Sequence, residues 1–520
     1  MTRDAMKPIS GIVFSILLAG AAFAQAGFGP PSTSAGPSAI ALPASGRNNQ
    51  GGSVGATEQP VSGTTTSVNT LNPSVQISGP YSGSTRSTAA IPFSGKLSLR
   101  EALERGLVYN LGAIGVTQTM RQNRAQVTVT RSALLPNLSG AVSETVEQVD
   151  LAALGFRISI PIPGIRIPTV AGPFNYGSLQ VSLSQNLANL TAVHNYRAAQ
   201  ATARAGQYSL EDARDLVTLA VGGAYLQVLA AEARLDAAQA LLDTANAVFH
   251  QSTEQHSEGV LGRLSVDQSQ LRTLTQQQQI ITLRNDLDKQ KINLARLTGL
   301  PPDPGYQLID RFPFSPAPVQ NVNDALAQAE RQRADLKAAQ SQVEAAARAL
   351  SATRAERLPS LSVSGDYQVI GTNPAESHGA FAVVGTLSIP IWQGGRTAGD
   401  IAQAEAVLAQ RRAELDDTHG QIESEVRQVY LDLAATAGQF EVAQKNLQVA
   451  QEALEMSRAR MEAGVANTVE VVQAQQTVAT AQLDLIDSVF AHNLAKLSLA
   501  RALGHASDQL PTLLKPQSTP

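Results

Sequence analysis

Two runs of this chain, Ala188 to about His256 and Gly395 to Met461, contain no proline and few glycines. Read as continuous helices of roughly 68 residues, at ~1.5 Å per residue, each is about 100 Å long. No compact globule encloses helices of that length. Each run stops at a short break, EGVLGRLSVDQSQ (Glu258–Gln270) in one case and EAGVANTVEVVQAQ (Glu462–Gln475) in the other. Beyond each break the helical pattern returns, over Arg263–Thr298 and Thr468–Leu503. Around the second break Phe440, Ala443, Leu447, Ala450, Leu454 and Met461 step by threes and fours, with Ser457 the one interruption. Val469, Val472, Ala479, Leu483, Ile486 and Phe490 continue the rhythm. Facing stripes on consecutive helices joined by a short turn predict an antiparallel coiled coil.

The two breaks belong to an internal repeat. ALLPNLSGAVSE (Ala133–Glu144) matches ERLPSLSVSGDY (Glu356–Tyr367), with Pro136 over Pro359, an offset of 359 − 136 = 223. Tyr225 falls over Tyr430, and Gly259 over Gly464, both at an offset of 205. A duplication explains this, with about 18 extra residues in the first copy. The first repeat spans 96–305 and the second 306–508. Each repeat opens with a short amphipathic helix (Leu97–Tyr109; Val322–Arg331). A second helix follows (Gly112–Leu135; Ala334–Leu358) and stops at proline, which disfavours helix at the residue before it. Period-two alternation then predicts strand pairs at 138–148 and 178–187, and at 361–370 and 381–391.

The helix lengths set an arithmetic. The returning helix and the shorter one together nearly equal the long one, so two stacked short helices can lie beside each long one. Such a layer needs neighbours on both sides. Four strands leave two open edges, which must be paired or covered. A barrel closed from several chains removes them, and it is the strand form that survives in lipid.

Composition narrows function. Net charge is −4, which argues against a nucleic-acid binder. There is no cysteine, so disulfides and thiol chemistry are excluded. The seven histidines are scattered, and no nucleophile-elbow, phosphate-loop or zinc-protease motif occurs. The expectation is a protein that is not an enzyme and has no cofactor or metal. Arg3, Lys7, the apolar run Ile9–Gly20 and Ala22-Phe23-Ala24 read as a signal peptide over 1–24. Residues 25–95 are rich in Gly, Ser, Thr and Pro, which predicts disorder, and 509–520 reads as a flexible tail.

Order, spacing and duplication together carry a family resemblance. The doubled Leu-Pro-x-Leu, LSIPIWQGGRTAGDIAQAEA (Leu387–Ala406), the pair of glycine breaks and LARLTGLPPD (Leu294–Asp303) resemble TolC-like outer membrane efflux proteins. The resemblance covers about Leu97–Asp508. It implies a mainly α fold with a transmembrane β-barrel part. Long antiparallel coiled-coil helices form a periplasmic α-barrel, and four strands per protomer complete a twelve-stranded barrel in a homotrimer. It implies a passive channel through outer membrane lipid and periplasm, fed by a periplasmic adaptor and an inner-membrane pump. Gly259, Val260 and Leu261, with Gly464, Val465 and Ala466, would form the periplasmic tips where the adaptor docks. Glu470 and Gln473 would line the pore mouth. Some members carry an arginine where this chain has Ala466, so that salt-bridge gate is not expected here. Trp392 sits where strand meets helix, as a membrane-interface marker or a packing residue. The alternative is a periplasmic coiled-coil adaptor or scaffold, which would show one helical hairpin flanked by small β-domains.

Overall fold

A computed structural model describes residues 53–61, 70–85, 93–151, 153, 155, 169–311, 313–317, 321–463, 465, 468–504, 506–507 and 514. The segment read as a signal peptide lies outside the described residues, as does most of 509–520. The one described residue of that expected tail, Leu514, is buried in the core.

Eight helices are described. They are α1 (Leu99–Tyr109), α2 (Leu111–Ser132), α3 (Leu190–Ser257), α4 (Arg263–Thr298), α5 (Val322–Gln332), α6 (Ala334–Ala355), α7 (Arg396–Glu462) and α8 (Thr468–Leu503). Asparagine caps mark three starts. Asn110, Asn189 and Asn321 accept from the backbone N–H of Gly112, Ala192 and Asn323. α2 and α6 each end four residues before their proline, Pro136 and Pro359, short of the expected ends at Leu135 and Leu358.

The helices form one layer. α3 (68 residues) packs against α2 (22) and α4 (36) on one side and against α6 (22) and α8 (36) on the other. α7 (67 residues) packs on the far side of α6 and α8. Each long helix therefore has two short ones stacked along it. Alanines at 192, 198, 199, 201, 205, 213, 220, 224, 231, 238 and 245 are buried along α3 and let neighbouring backbones approach closely. One window of α3 is apolar enough to cross a membrane, but 72% of it is buried inside the fold. The apolarity there serves helix packing.

The expected stripe on α7 is buried at Ala443, Ala450, Leu454 and Met461, and so is its interruption, Ser457. On α8 the expected Ala479 and Phe490 are buried, but nearer the tip Val471, Gln475 and Val478 are buried while Val469 is half exposed. Near the tip the buried face is rotated from the expected one, because α8 packs against α3 as well as α7.

Four long strands form one antiparallel sheet, β4 (Asn137–Asp150), β5 (Val170–Ala188), β7 (Ser360–Gly371) and β8 (His378–Ser388), in the order β4-β5-β7-β8. β5 starts eight residues before the expected position, because the outer part of β4 offers it a partner, with Val149 opposite Ala171 and Asp150 opposite Val170. β8 ends before the expected Ile391. Pro390 has no N–H to give to a ladder. Gly394 (φ 60°) and Gly395 (φ 86°) then make the left-handed turn that launches α7, a backbone shape that side chains with a Cβ disfavour.

The segment 25–95, expected to be disordered, carries structure in its described part. β1 (Val54–Val61) pairs antiparallel with β2 (Thr70–Ile77), and Val54 and Tyr81 are buried in the main core. Val75 packs against α3 at Gly223, where a side chain would collide with it. The composition misleads here because the hairpin needs little apolar surface of its own. The helical layer supplies the rest. Two short parallel strands, β3 (Lys96–Leu97) and β6 (Gln307–Leu308), tie the start of the first repeat to the start of the second. Asp310 fastens them: its Oδ2 accepts from the Leu99 N–H at 2.6 Å and from the Tyr225 hydroxyl at 3.0 Å.

Candidate functional site

The two breaks lie at the same end of the layer. Val248, near the end of α3, shares a core cluster with Ala450, Leu454, Met461, Val471 and Val478 of α7 and α8. At the first tip the chain reverses over the five residues 258–262 between α3 and α4. Gly259 takes φ 77°, which costs a residue with a Cβ roughly 1–2 kcal/mol. The Val260 N–H donates to the Gln255 carbonyl at 2.9 Å, and His256 Nδ1 meets the Leu261 carbonyl at 2.7 Å. Val260 is 73% exposed, and nearby Leu264 is also exposed. At the second tip the Val465 N–H donates to the Arg460 carbonyl at 2.9 Å, and Val465 is 71% exposed. Gly464 and Ala466 lie outside the described residues. Each tip thus presents an apolar side chain to solvent from a backbone tied to its own helix.

Glu470 sits in the first turn of α8, and Gln473 is exposed one turn on. Glu470 forms an ion pair with Arg460 of α7 at 3.5 Å, across the tip. The resemblance offered no such partner. At the first tip the corresponding Ser265 leaves no equivalent, and Asp267 lies 3.8 Å from Arg263 on its own helix.

A second cluster lies mid-layer and was not read from the sequence. Arg333, 1% exposed at the α5–α6 junction, donates to Asp335 at 2.6 Å and to Glu425 of α7 at 2.5 Å. Arg501 of α8 donates to Asp212 of α3 and lies 3.7 Å from Asp335. These side chains line a cavity of about 1080 Å³ between α2, α3, α6, α7 and α8. Burial pushes the Asp212 carboxyl up to about 6 against the pull of Arg501. Burial also opposes the charge on Asp335, but its bonds from Arg333 and the field of Arg501 win and hold it below the usual range. The repeat held one clue: Arg333 falls over Asn110 at the offset of 223. Asn110 is also fully buried and donates to the Tyr81 carbonyl at 2.7 Å. Both junctions bury a polar side chain.

The sheet has two unlike faces. Across one, the register sets Leu138, Leu183, Gly365 and Val383 in a row, then Gly140, Val181, Tyr367 and Phe381, then Val142, Leu179, Val369 and Gly379. Every large apolar side chain of the first two rows is exposed, from Leu138 at one edge to Phe381 and Val383 at the other. The opposite face carries Ser139, Ser182, Asp366 and Ala382, then Ala141, Gln180, Gln368 and Ala380. No described strand pairs with the outer edge of β4 or β8. Trp392, just beyond β8, is 87% exposed.

The family model for outer membrane efflux proteins matches residues 116–300 and 325–505, one segment in each repeat. The chain belongs to this family. Outer membrane protein OprJ of Pseudomonas aeruginosa is 26% identical over 430 residues, covering 79% of this chain and 85% of that protein. Outer membrane protein TolC of Vibrio cholerae is 22% identical over 392 residues, covering 74% and 85%. The crystal structure of the outer membrane protein VceC from Vibrio cholerae has the same fold. It matches with a TM-score of 0.64 at 20% identity, over 78% of this chain and 96% of that one. Membership makes this an outer membrane protein of efflux, in a family of channels rather than enzymes. An adaptor reading does not fit two repeats that each hold a strand pair and a long hairpin.

Proposed function

We propose that this chain is the outer membrane channel of a tripartite export system, in which three copies close into a single tube. The observation that carries the proposal is the sheet. One face is apolar and exposed from edge to edge, and neither edge has a strand partner among the described residues. Water penalises such a face, and lipid penalises such edges. Joining β8 of one copy to β4 of the next resolves both, and three copies of four strands make a twelve-stranded barrel. Strands of 11 to 14 residues for β4, β7 and β8 suit a tilted crossing.

The helical layer supports the same assembly. One edge is α2 and α4, stacked along α3, and the other is α7. α4 exposes Leu264, Leu271, Leu274 and Ile281, and α7 exposes Val442, Val449 and Met456 seven residues apart. Among the described residues these coiled-coil seams have no partner. α7 of one copy against α4 of the next covers both and extends the tube into the periplasm.

The tips then face the periplasm, where Val260 and Val465 offer an apolar foothold for the helical hairpins of an adaptor. Three Glu470 carboxylates and three Gln473 amides would ring the mouth. An Arg460 guanidinium beside each Glu470 offsets that carboxylate's charge, so the mouth is a weaker cation trap than bare carboxylates would make. Transport is passive, with energy supplied by an inner-membrane pump. The test combines two readouts. The purified protein should form conducting pores in planar lipid bilayers. The double variant Val260→Asp, Val465→Asp should keep that conductance while losing export in cells that hold the cognate adaptor and pump. Unimpaired export by the variant would remove the tips from docking.

A further inference from the structure

The polar face of the sheet is nearly uncharged. β4, β5, β7 and β8 together contain no lysine and no arginine. Their ionisable side chains, tyrosines aside, are Glu144, Glu147, Asp150, Asp366 and His378. The three on β4 lie at or beyond the row of Glu144, Gly177 and Gly371, where β7 ends. His378 is in the last paired row at the same end, with Nδ1 3.0 Å from the Glu376 carbonyl. Asp366 alone lies in the middle of the four-stranded region.

Asp366 lies in the register beside Ser182 on one neighbour and Ala382 on the other, and Ser182 lies beside Ser139. These are small side chains that cannot cover a carboxylate. Its described hydrogen bond comes from Gln180 Nε2 at 3.3 Å, a neutral donor that leaves its charge in place. Its chain neighbours Gly365 and Tyr367 point to the apolar face, in line with Leu183, Val383, Val181 and Phe381. A carboxylate back-to-back with the middle of the apolar face sits at mid-membrane depth, where it persists only beside water or a cation. No basic side chain of the sheet is available to neutralise it.

We propose that Asp366, repeated in each copy, forms an acidic ring inside the barrel and makes its lumen prefer cations, inorganic or organic, over anions. This rests on the channel reading above. The ring is separate from Glu470, which lies at the other end of the long helices. Rings of like charge set the sign of the ions a wide pore favours. The preference should be large at ~10 mM salt, where the screening length is about 30 Å, and small at ~150 mM, where it is about 8 Å.

The experiment is the reversal potential of the purified protein in a planar bilayer under a low-salt potassium chloride gradient. The wild-type pore should favour potassium. Asp366→Asn, and independently Ser182→Lys, which sets an ammonium beside Asp366, should each cut the cation-to-anion permeability ratio by about half or more at ~10 mM salt. Glu470→Gln should leave that loss still to be made by a second change at Asp366. A wild-type pore without cation preference overturns the proposal, and so does an Asp366→Asn pore with unchanged selectivity. If both variants fail to conduct, the wild-type preference measured with Glu470→Gln decides: its disappearance overturns the ring. Absence of any pore from the wild-type protein overturns the channel reading instead.

Discussion

Replacing Arg501 by methionine should lower the unfolding free energy by about 3 kcal/mol, the low end for removing one partner of a buried ion pair. Arg501 is the cation that Asp212 and Asp335 share, and its side chain is 13% exposed. Methionine fills much of the volume but leaves two carboxylates facing each other in the cavity wall. The loss should depend on pH with a definite sign. Asp212 already has its pKa raised, to about 6, by burial. A raised carboxyl pKa means the folded state holds the proton more tightly than the unfolded chain. That contribution is fully present below the ordinary carboxylate value and is lost as pH rises through the folded value. Without Arg501 the shift grows, so the variant's deficit should shrink between pH 8 and pH 5, as Asp212 takes up a proton and stops being a buried unpaired charge. Asp335 works the other way: its pKa is lowered, and its contribution fades only in more acidic solution. Denaturant unfolding followed by helical ellipticity at the two pH values reads both. A deficit that grows towards pH 5 would contradict the assignment of Asp212 as the carboxyl that Arg501 neutralises.

The second large effect concerns lipid. Val383 lies midway along β8 on the apolar face, between Leu361's and Tyr367's rows, and is 70% exposed. An arginine at the midplane of a barrel's lipid face costs about 2–4 kcal/mol, so three symmetric copies lose about 6–12 kcal/mol. Val383→Arg should therefore abolish assembly in the outer membrane. Thr386→Arg, three residues on but on the polar face opposite Ser362, should assemble normally. Membrane flotation after expression separates the two. Equal recovery of both variants would show that the two faces meet the same solvent, and the barrel would be wrong.

Much of this architecture was legible because its signals are periodic. A run of about 68 residues without proline, a break on a glycine and a strict alternation each reflect one local rule, and each recurs in the second repeat. What stayed hidden depends on distant neighbours. Arg333, Asp335, Glu425, Asp212 and Arg501 come from four helices and the α5–α6 junction, spread over 289 residues, and no spacing rule joins them. Near the tip the buried face of α8 falls on Val471 rather than Val472, because a second neighbour, α3, could not be seen in a two-helix pattern, while Ala479 and Phe490 are buried as expected. The β1–β2 hairpin was missed because its core is borrowed from α3 and α8. At the candidate site, Gly259, Val260 and Glu470 were accessible to sequence reading. The Arg460 partner was not, since it required knowing which residues face each other across the turn.

The central claim is that three copies join edge to edge into one tube, and a disulfide across the helical seam tests it most directly. Leu274 lies fifteen residues beyond Gly259 on α4, and Val449 lies fifteen residues before Gly464 on α7. Equal distance from the tips sets them at equal height, and both are exposed in the single chain. The chain has no cysteine of its own, so Leu274→Cys with Val449→Cys supplies the sole reactive pair. Oxidation in the membrane should give a ladder that ends at a covalent trimer, with neither single variant cross-linking. A ladder that stops at two copies, or a chain that stays monomeric under oxidation, would contradict the tube.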